Sequence, residues 1–227
     1  MLKIDQMVTG VISGMDEAYN GLLRCGKDVV LVRHVMKQEE VRVRIVRRIA
    51  KGYIGEIVEI KKASPYRIAV KCPIYERCGS CQLLHMNAKG QQEFKNRSIR
   101  TLCAKAKIGK LKAEEIVAME EPWHYRNKMI IGFQRDKQSY SGRLYEEFSH
   151  RIIPYKRCLL HPEVCDDIIA GIVELMGKLR IEPYDEDKRI GLIRHVVMRY
   201  GAVSGQIMIV LVLNSMCFRP ERISYRN

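Results

Sequence analysis

The chain has 227 residues, of which 47% are hydrophobic, enough to bury one good core or two small ones. Lysine and arginine total 40 against 26 acidic residues, a formal net charge of +14 that favours polyanionic partners through counterion release. No apolar run approaches the roughly 20 residues of a membrane-spanning helix, the N-terminus is unlike a signal peptide, and the unevenly spaced cysteines argue against a disulfide scaffold. Composition therefore excludes a membrane-spanning protein and predicts a cytoplasmic, RNA-facing one.

Residues 1–62 alternate in period two, with β-branched residues between glycine turns, which predicts four or five short strands. So many strands in so short a segment predict a small β-barrel of the oligonucleotide-binding type. Alternation places Arg42 and Arg44 together on its outer face. Seven basic and two acidic residues lie between positions 42 and 62. We therefore predict that this face, with Lys51, contacts RNA phosphates, the alternative being an ordinary solvated surface.

Three cysteines follow within ten residues: Cys72, Cys78 and Cys81. The Cys-x5-Cys-x2-Cys spacing suits an iron–sulfur cluster held by four thiolates, with Cys158 or Cys165 as a distant fourth ligand. Structural zinc is the alternative metal, for which His85 completes a Cys₃His site. Buried cysteines without a metal are the remaining alternative. The spacing differs from the tighter loop of radical enzymes that cleave S-adenosylmethionine, which argues against a radical mechanism.

The remainder, residues 66–227, mixes helical and strand periodicity, which predicts a mixed α+β central domain. The predicted elements are a helix at 88–107, a β-rich region from Trp123, a helix at 162–178 and a hairpin of 196–200 with 207–213. Seven consecutive apolar residues in that last strand predict burial on both faces.

Over the whole chain, these residues resemble the iron–sulfur-bearing RNA uracil-5-methyltransferases, whose closest members modify 23S ribosomal RNA. The resemblance is carried by the basic barrel, the cysteine loop through Gly79-Ser80-Cys81-Gln82-Leu83-Leu84-His85, Tyr125-Arg126-Asn127-Lys128, Cys158, and Gly191-Leu192-Ile193-Arg194-His195. It implies that the barrel is a TRAM domain and that the partner is ribosomal RNA, with no DNA or membrane expected. It also implies a structural [4Fe–4S] cluster on four thiolates: Cys72, Cys78, Cys81 and Cys158.

Further RNA contacts are predicted in the central domain. Arg126 and Lys128 are expected to bind phosphates, and Tyr125 to stack a base, with core packing as the alternative for the ring. Arg194 and Arg199 are also expected to face RNA.

In the family, a cysteine adds to C6 of a flipped uracil and S-adenosylmethionine, bound in a Rossmann-like domain, supplies the methyl group. This chain has no Asp-x-x-x-Gly-x-Gly donor loop, no Asp-Pro-Pro-Arg segment and no cysteine in the nucleophile context. The predicted fold class is therefore a β-barrel plus a mixed α+β central domain, with the Rossmann-like methyltransferase domain absent. The helix at 88–107 is expected to pack partly on that missing domain, and no catalytic residue is predicted.

Two functional interpretations follow. The chain is either the RNA-binding and iron–sulfur portion of a truncated methyltransferase, inactive alone, or a standalone non-catalytic RNA-binding module with a structural iron–sulfur or zinc site. The buried-type strand at 207–213, followed by a polar tail, favours truncation, and a frameshift near Asn214 is one hypothesis for it.

Overall fold

The computed structural model describes residues 1–108, 116–136, 139–147, 152–153 and 155–214, and for Arg143 the backbone alone. The chain divides into two compact units. The first comprises Met1–Glu76 with Cys81–Met119, and the second Arg77–Ser80 with Glu120–Asn227. The polar tail and the frameshift hypothesis concern positions beyond Asn214, outside the described residues. Within the described part of the chain, no helix is long and apolar enough to span a membrane.

The first unit contains a closed five-stranded barrel, with strand order β1-β2-β3-β5-β4. The strands are β1 Met7–Met15, β2 Gly21–Cys25, β3 Asp28–Val32, β4 Glu40–Ile49 and β5 Gly52–Lys62. In β4, Val41, Val43 and Ile45 are fully buried and Arg42 and Arg44 are exposed, as the alternation predicts. The five strands agree with the four or five predicted from this segment, and β2 is the strand without a β-branched residue.

Gly52 allows the tight connection between β4 and β5. Its φ is +136°, and a Cβ there would lie 2.2 Å from the carbonyl oxygen of Val29. Only glycine fits this backbone conformation and this close approach.

A buried ion pair ties the barrel to the segment that follows β5. Glu39 is fully buried and accepts two hydrogen bonds from Arg67, at 2.6 Å each. Its carboxylate also accepts the backbone N–H of Met36 at 2.8 Å and that of Ser64 at 3.1 Å. Burial opposes ionisation of Glu39, but these donors hold its pKa below the ordinary value. Glu39 is therefore an ionised anchor inside the first unit.

Helix α1, Ala88–Lys105, completes the described part of this unit. Asn87 caps its N-terminus by accepting the N–H of Gly90 at 2.9 Å. The helix predicted at 88–107 is confirmed, and it ends two residues earlier than predicted.

The second unit is a five-stranded sheet of order β10-β9-β6-β7-β8 with one long helix. The strands are β6 Lys128–Asp136, β7 Ser139–Tyr145, β8 Ile152–Ile153, β9 Ile193–Tyr200 and β10 Ile207–Leu213, and the helix is α2 Glu163–Leu179. Helix α2 packs closely on β7, since a Cβ on Gly142 would lie 2.7 Å from the side chain of Ile169. The predicted second helix and the predicted terminal hairpin are both confirmed.

The prediction that strand 207–213 is buried on both faces is wrong for the described structure. Four consecutive residues of β10 expose 41–49% of their surface: Met208, Ile209, Val210 and Leu211. Among the described elements, β10 packs mainly against β9, which leaves side chains on both of its faces uncovered.

Candidate functional site

The four cysteines predicted to bind a metal are divided between the two units. Cys72 and Cys81 belong to the first, and Cys78 and Cys158 to the second. Among the described residues, no group of three or more histidine, cysteine or acidic side chains lies close enough to hold a metal ion. The predicted ligand set therefore stays a prediction. The spacing of thiols along a chain indicates the type of metal ligand, but it does not fix the distances between the sulfur atoms in the folded protein.

His85, the fourth ligand of the zinc alternative, is occupied by structural hydrogen bonds. Its Nδ1 lies 2.7 Å from the hydroxyl of Tyr75, and its Nε2 lies 3.4 Å from the carbonyl oxygen of Val35. Burial, reinforced by the charge of Arg67, lowers the pKa of His85 to about 4. The ring is therefore neutral, which is the form that binds a metal, but both of its nitrogens already have hydrogen-bond partners inside the first unit, and these partners argue against a Cys₃His zinc site.

In the second unit, the segment that precedes β6 lies beside the segment around Cys158. The backbone N–H of His124 donates to Leu159, and that of Arg126 donates to Leu160, both at 2.9 Å. The β-rich region predicted from Trp123 thus begins as a loop, and the strand itself starts at Lys128. These contacts hold Tyr125 half exposed beside the half-buried Arg126.

Cys158 is linked to a buried His–Asp pair. Asp166 accepts the backbone N–H of Cys158 at 2.9 Å, and its other carboxylate oxygen lies 3.1 Å from Nδ1 of His161. Burial opposes protonation of His161, yet Asp166 and the neighbouring Cys158 thiol raise its pKa to about 9. Burial likewise opposes the thiolate of Cys158, but His161 brings the pKa of the thiol below its ordinary value. The arrangement favours a thiolate at Cys158, the reactive and metal-binding form of cysteine.

His161 and Asp166 were not among the residues predicted from the sequence. The sequence feature that points to them is the Cys-x2-His spacing, together with an acidic residue in the first turn of α2.

On the barrel, the predicted RNA contacts differ in how their charges are compensated. Arg44 pairs with Glu56 at 2.9 Å and lies 3.8 Å from Asp5. Arg42 and Lys51 are exposed, and neither forms an ion pair with another described residue. Arg42, which has Glu59 as its cross-strand neighbour, and Lys51 thus remain available to an anionic partner.

On the sheet of the second unit, two predicted contacts lie directly opposite each other. Lys128 of β6 is the cross-strand neighbour of Arg199 of β9, and both side chains are exposed. Like charges in this position destabilise a sheet by a few tenths to about 1 kcal/mol. Within the described residues, neither cation forms an ion pair. A bound anion relieves this repulsion.

Arg194 is held differently. Its guanidinium donates to both carboxylate oxygens of Glu186, at 2.7 and 2.9 Å, and lies 4.7 Å from the ring centre of Tyr184. Its charge is engaged within the second unit, in contrast to that of Arg199.

The sequence of the chain is similar to those of proteins described as RNA methyltransferases. No family model matches the chain. A protein of Halalkalibacterium halodurans described as an uncharacterised RNA methyltransferase is 34% identical, over 85% of this chain and 42% of the relative. A Listeria monocytogenes protein with the same description is 33% identical, over 97% of this chain and 49% of the relative. The chain thus spans less than half the length of these curated relatives.

A solved structure shares the fold. It is the tRNA (uracil-54, C5)-methyltransferase of Pyrococcus abyssi in complex with S-adenosyl-L-homocysteine. The match has a TM-score of 0.70 at 21% identity and covers 91% of this chain and 46% of the other.

This match corrects the predicted fold class. The closed barrel and the mixed α+β unit are both present, but a fold class defined by the absence of a Rossmann-like methyltransferase domain is wrong. The fold is one found in a methyltransferase, over 91% of this chain, and the match gives no support to a truncated, non-catalytic chain. The error lay in defining the fold class by missing donor-binding motifs, because strand order and packing define a fold.

Proposed function

We propose that the chain provides RNA binding in the methylation of uridine at C5, with S-adenosylmethionine as the methyl donor. The observation that carries this proposal is the uncompensated Lys128–Arg199 pair on an exposed sheet face. The similarity to RNA methyltransferases supports the same class of substrate. In this proposal the barrel is a TRAM-like module over residues 1–62, residues 66–227 form the central domain, and the protein works in the cytoplasm.

The contacts have separate roles in the proposal. Lys128 and Arg199 bind backbone phosphates, because exposed cations gain most from counterion release. Arg126 adds a third phosphate contact, and Tyr125 stacks an unpaired base on its exposed ring. S-adenosylmethionine supplies the methyl group, and we assign none of the described residues to it.

Ribosomal RNA is the proposed substrate, on the resemblance of the cysteine loop to the 23S enzymes. The test measures binding of the intact chain to a uridine-containing 23S fragment, to a tRNA transcript and to duplex DNA of equal length. Tightest binding to the 23S fragment is expected, and tighter binding to tRNA would contradict the ribosomal assignment alone. Equal binding to the DNA would contradict RNA recognition. Mass spectrometry of nucleosides from the bound RNA, incubated with S-adenosylmethionine, then detects any 5-methyluridine.

We also propose that Cys72, Cys78, Cys81 and Cys158 bind a [4Fe–4S] cluster. The support is the spacing of the thiols, together with their soft donor chemistry. In this proposal the cluster has a structural role and takes no part in methyl transfer.

Removing one proposed ligand is expected to abolish cluster binding. After anaerobic purification, the wild-type chain should contain about four irons and four sulfides, and Cys158→Ser should contain almost none. Cys165→Ser is the matched control, since Cys165 is a fully buried thiol of α2 outside the proposed set. Full iron content in Cys158→Ser, or zinc in place of iron in the wild type, would contradict the assignment.

A further inference from the structure

An open groove lies in the first unit between the β1–β2 loop and helix α1, with a volume of about 960 Å³. One wall carries Tyr19, whose surface is 38% exposed, and the other carries Phe94 and Leu102, the latter 53% exposed. The rings of Tyr19 and Phe94 lie 5.6 Å apart. The groove thus combines an aromatic pair with accessible apolar surface.

The loop holds Tyr19 in a conformation that tyrosine rarely adopts. Its φ is +68°, in the left-handed region. Asp16 maintains the turn, because Oδ1 of its carboxylate accepts the N–H of Ala18 at 2.9 Å and that of Asn20 at 2.8 Å. Local hydrogen bonds therefore hold this ring at the groove. Strained backbone conformations of this kind concentrate at binding sites.

The charges that line the groove are unbalanced. Its two acids are already engaged, Asp16 by its own turn and Glu17 by Lys105 at 2.7 Å. Three further cations line the groove without an ion pair to any described residue: Lys37, Lys95 and Arg97. A half-exposed aromatic ring beside several uncompensated cations is the chemistry that binds single-stranded nucleic acid, in which bases stack and phosphates meet cations.

We propose that this groove binds a single-stranded segment of RNA, with one base stacked on Tyr19 and phosphates at Lys37, Lys95 and Arg97. The proposal rests on the proposed function in taking RNA as the partner, and it adds a second contact surface to that of Lys128 and Arg199. An acidic peptide would satisfy the cations equally, but it would gain little from the exposed ring of Tyr19.

The test measures fluorescence anisotropy of a labelled, uridine-rich single-stranded RNA with the intact chain. Tyr19→Ala is expected to weaken binding by about 5- to 150-fold, the usual effect of removing one stacking partner. Tyr19→Phe, which keeps the ring, should bind like the wild type. Lys95→Ala should weaken binding, whereas Lys27→Ala, at an exposed lysine of the same unit outside the groove, should not. Thermal unfolding of each variant checks that it is folded.

Photo-crosslinking distinguishes failure of the groove proposal from failure of the proposed function. With RNA that carries 4-thiouridine, crosslinks to Tyr19 or Phe94 are expected in the wild type. Crosslinks confined to the second unit, with Tyr19→Ala binding normally, would overturn the groove and leave the proposed function intact. Absence of RNA binding by the wild type would overturn both. Binding of an acidic peptide that depends on Tyr19, without RNA binding in the groove, would also overturn the proposal.

Discussion

Glu39→Ala is expected to destabilise the first unit by about 3–5 kcal/mol, the usual effect of breaking a buried ion pair. The substitution leaves the Arg67 guanidinium, which is only 19% exposed, without its carboxylate. It also removes the acceptor for the backbone N–H groups of Met36 and Ser64. Urea denaturation followed by circular dichroism measures the change. Glu59→Ala is the matched control, at an exposed carboxylate of the same barrel, and should change stability by less than about 0.5 kcal/mol.

The Glu39–Arg67 pair also predicts that the stability of the first unit depends on pH. The folded-state pKa of Glu39 lies below its ordinary value of 4.5, so its contribution is fully present above pH 4.5 and is lost as pH falls through the folded-state pKa. The stability difference between the wild type and Glu39→Gln should therefore be largest near neutral pH and narrow in acid. A difference that stays constant with pH would contradict an ionised, stabilising Glu39.

Lys128→Glu is expected to weaken RNA binding while it stabilises the sheet. The change turns a repulsive cross-strand pair into an attractive one with Arg199, a gain of up to about 1 kcal/mol. It also removes a phosphate contact, so the salt dependence of log affinity should become shallower by about one unit or more. Thermal unfolding and RNA titration at several salt concentrations measure the two effects.

A charge reversal at a different site distinguishes the loss of this phosphate contact from a general effect of net charge. Lys178→Glu makes the same change of charge at an exposed lysine of α2, which pairs with Glu174, and it should leave RNA affinity nearly unchanged. If Lys178→Glu and Lys128→Glu reduce affinity equally, a general electrostatic effect explains both, and the sheet-face contact is wrong.

Much of the secondary structure follows from the sequence, because period and turn residues are local. The alternation in β4, the capped helix after Asn87 and the terminal hairpin are all present. Strand β2 has no β-branched residue, so β-branched alternation does not define its bounds. The predicted burial of β10 was wrong because an apolar run does not reveal which elements pack on the faces of a strand.

The candidate sites depend on contacts between residues that lie far apart in the sequence. Lys128 and Arg199 were each predicted from local motifs, but their adjacency comes from the pairing of β6 with β9. Nothing local links Glu39 to Arg67, or Tyr19 to Phe94, since each pair meets only through tertiary packing. The cysteine loop differs, because its local spacing predicts a metal centre whose ligands come from both units, and that centre stays a prediction.

The most direct test of RNA binding is the affinity of the intact chain for a uridine-rich single-stranded RNA, measured over increasing potassium chloride concentration. If exposed cations on the barrel and the sheet bind phosphates, log Kd should rise linearly with log salt, with a slope of about 0.7 for each phosphate contacted. A slope of several units is expected for the contacts proposed. Undetectable binding at low salt, or an affinity that does not change with salt, would contradict the RNA-binding role.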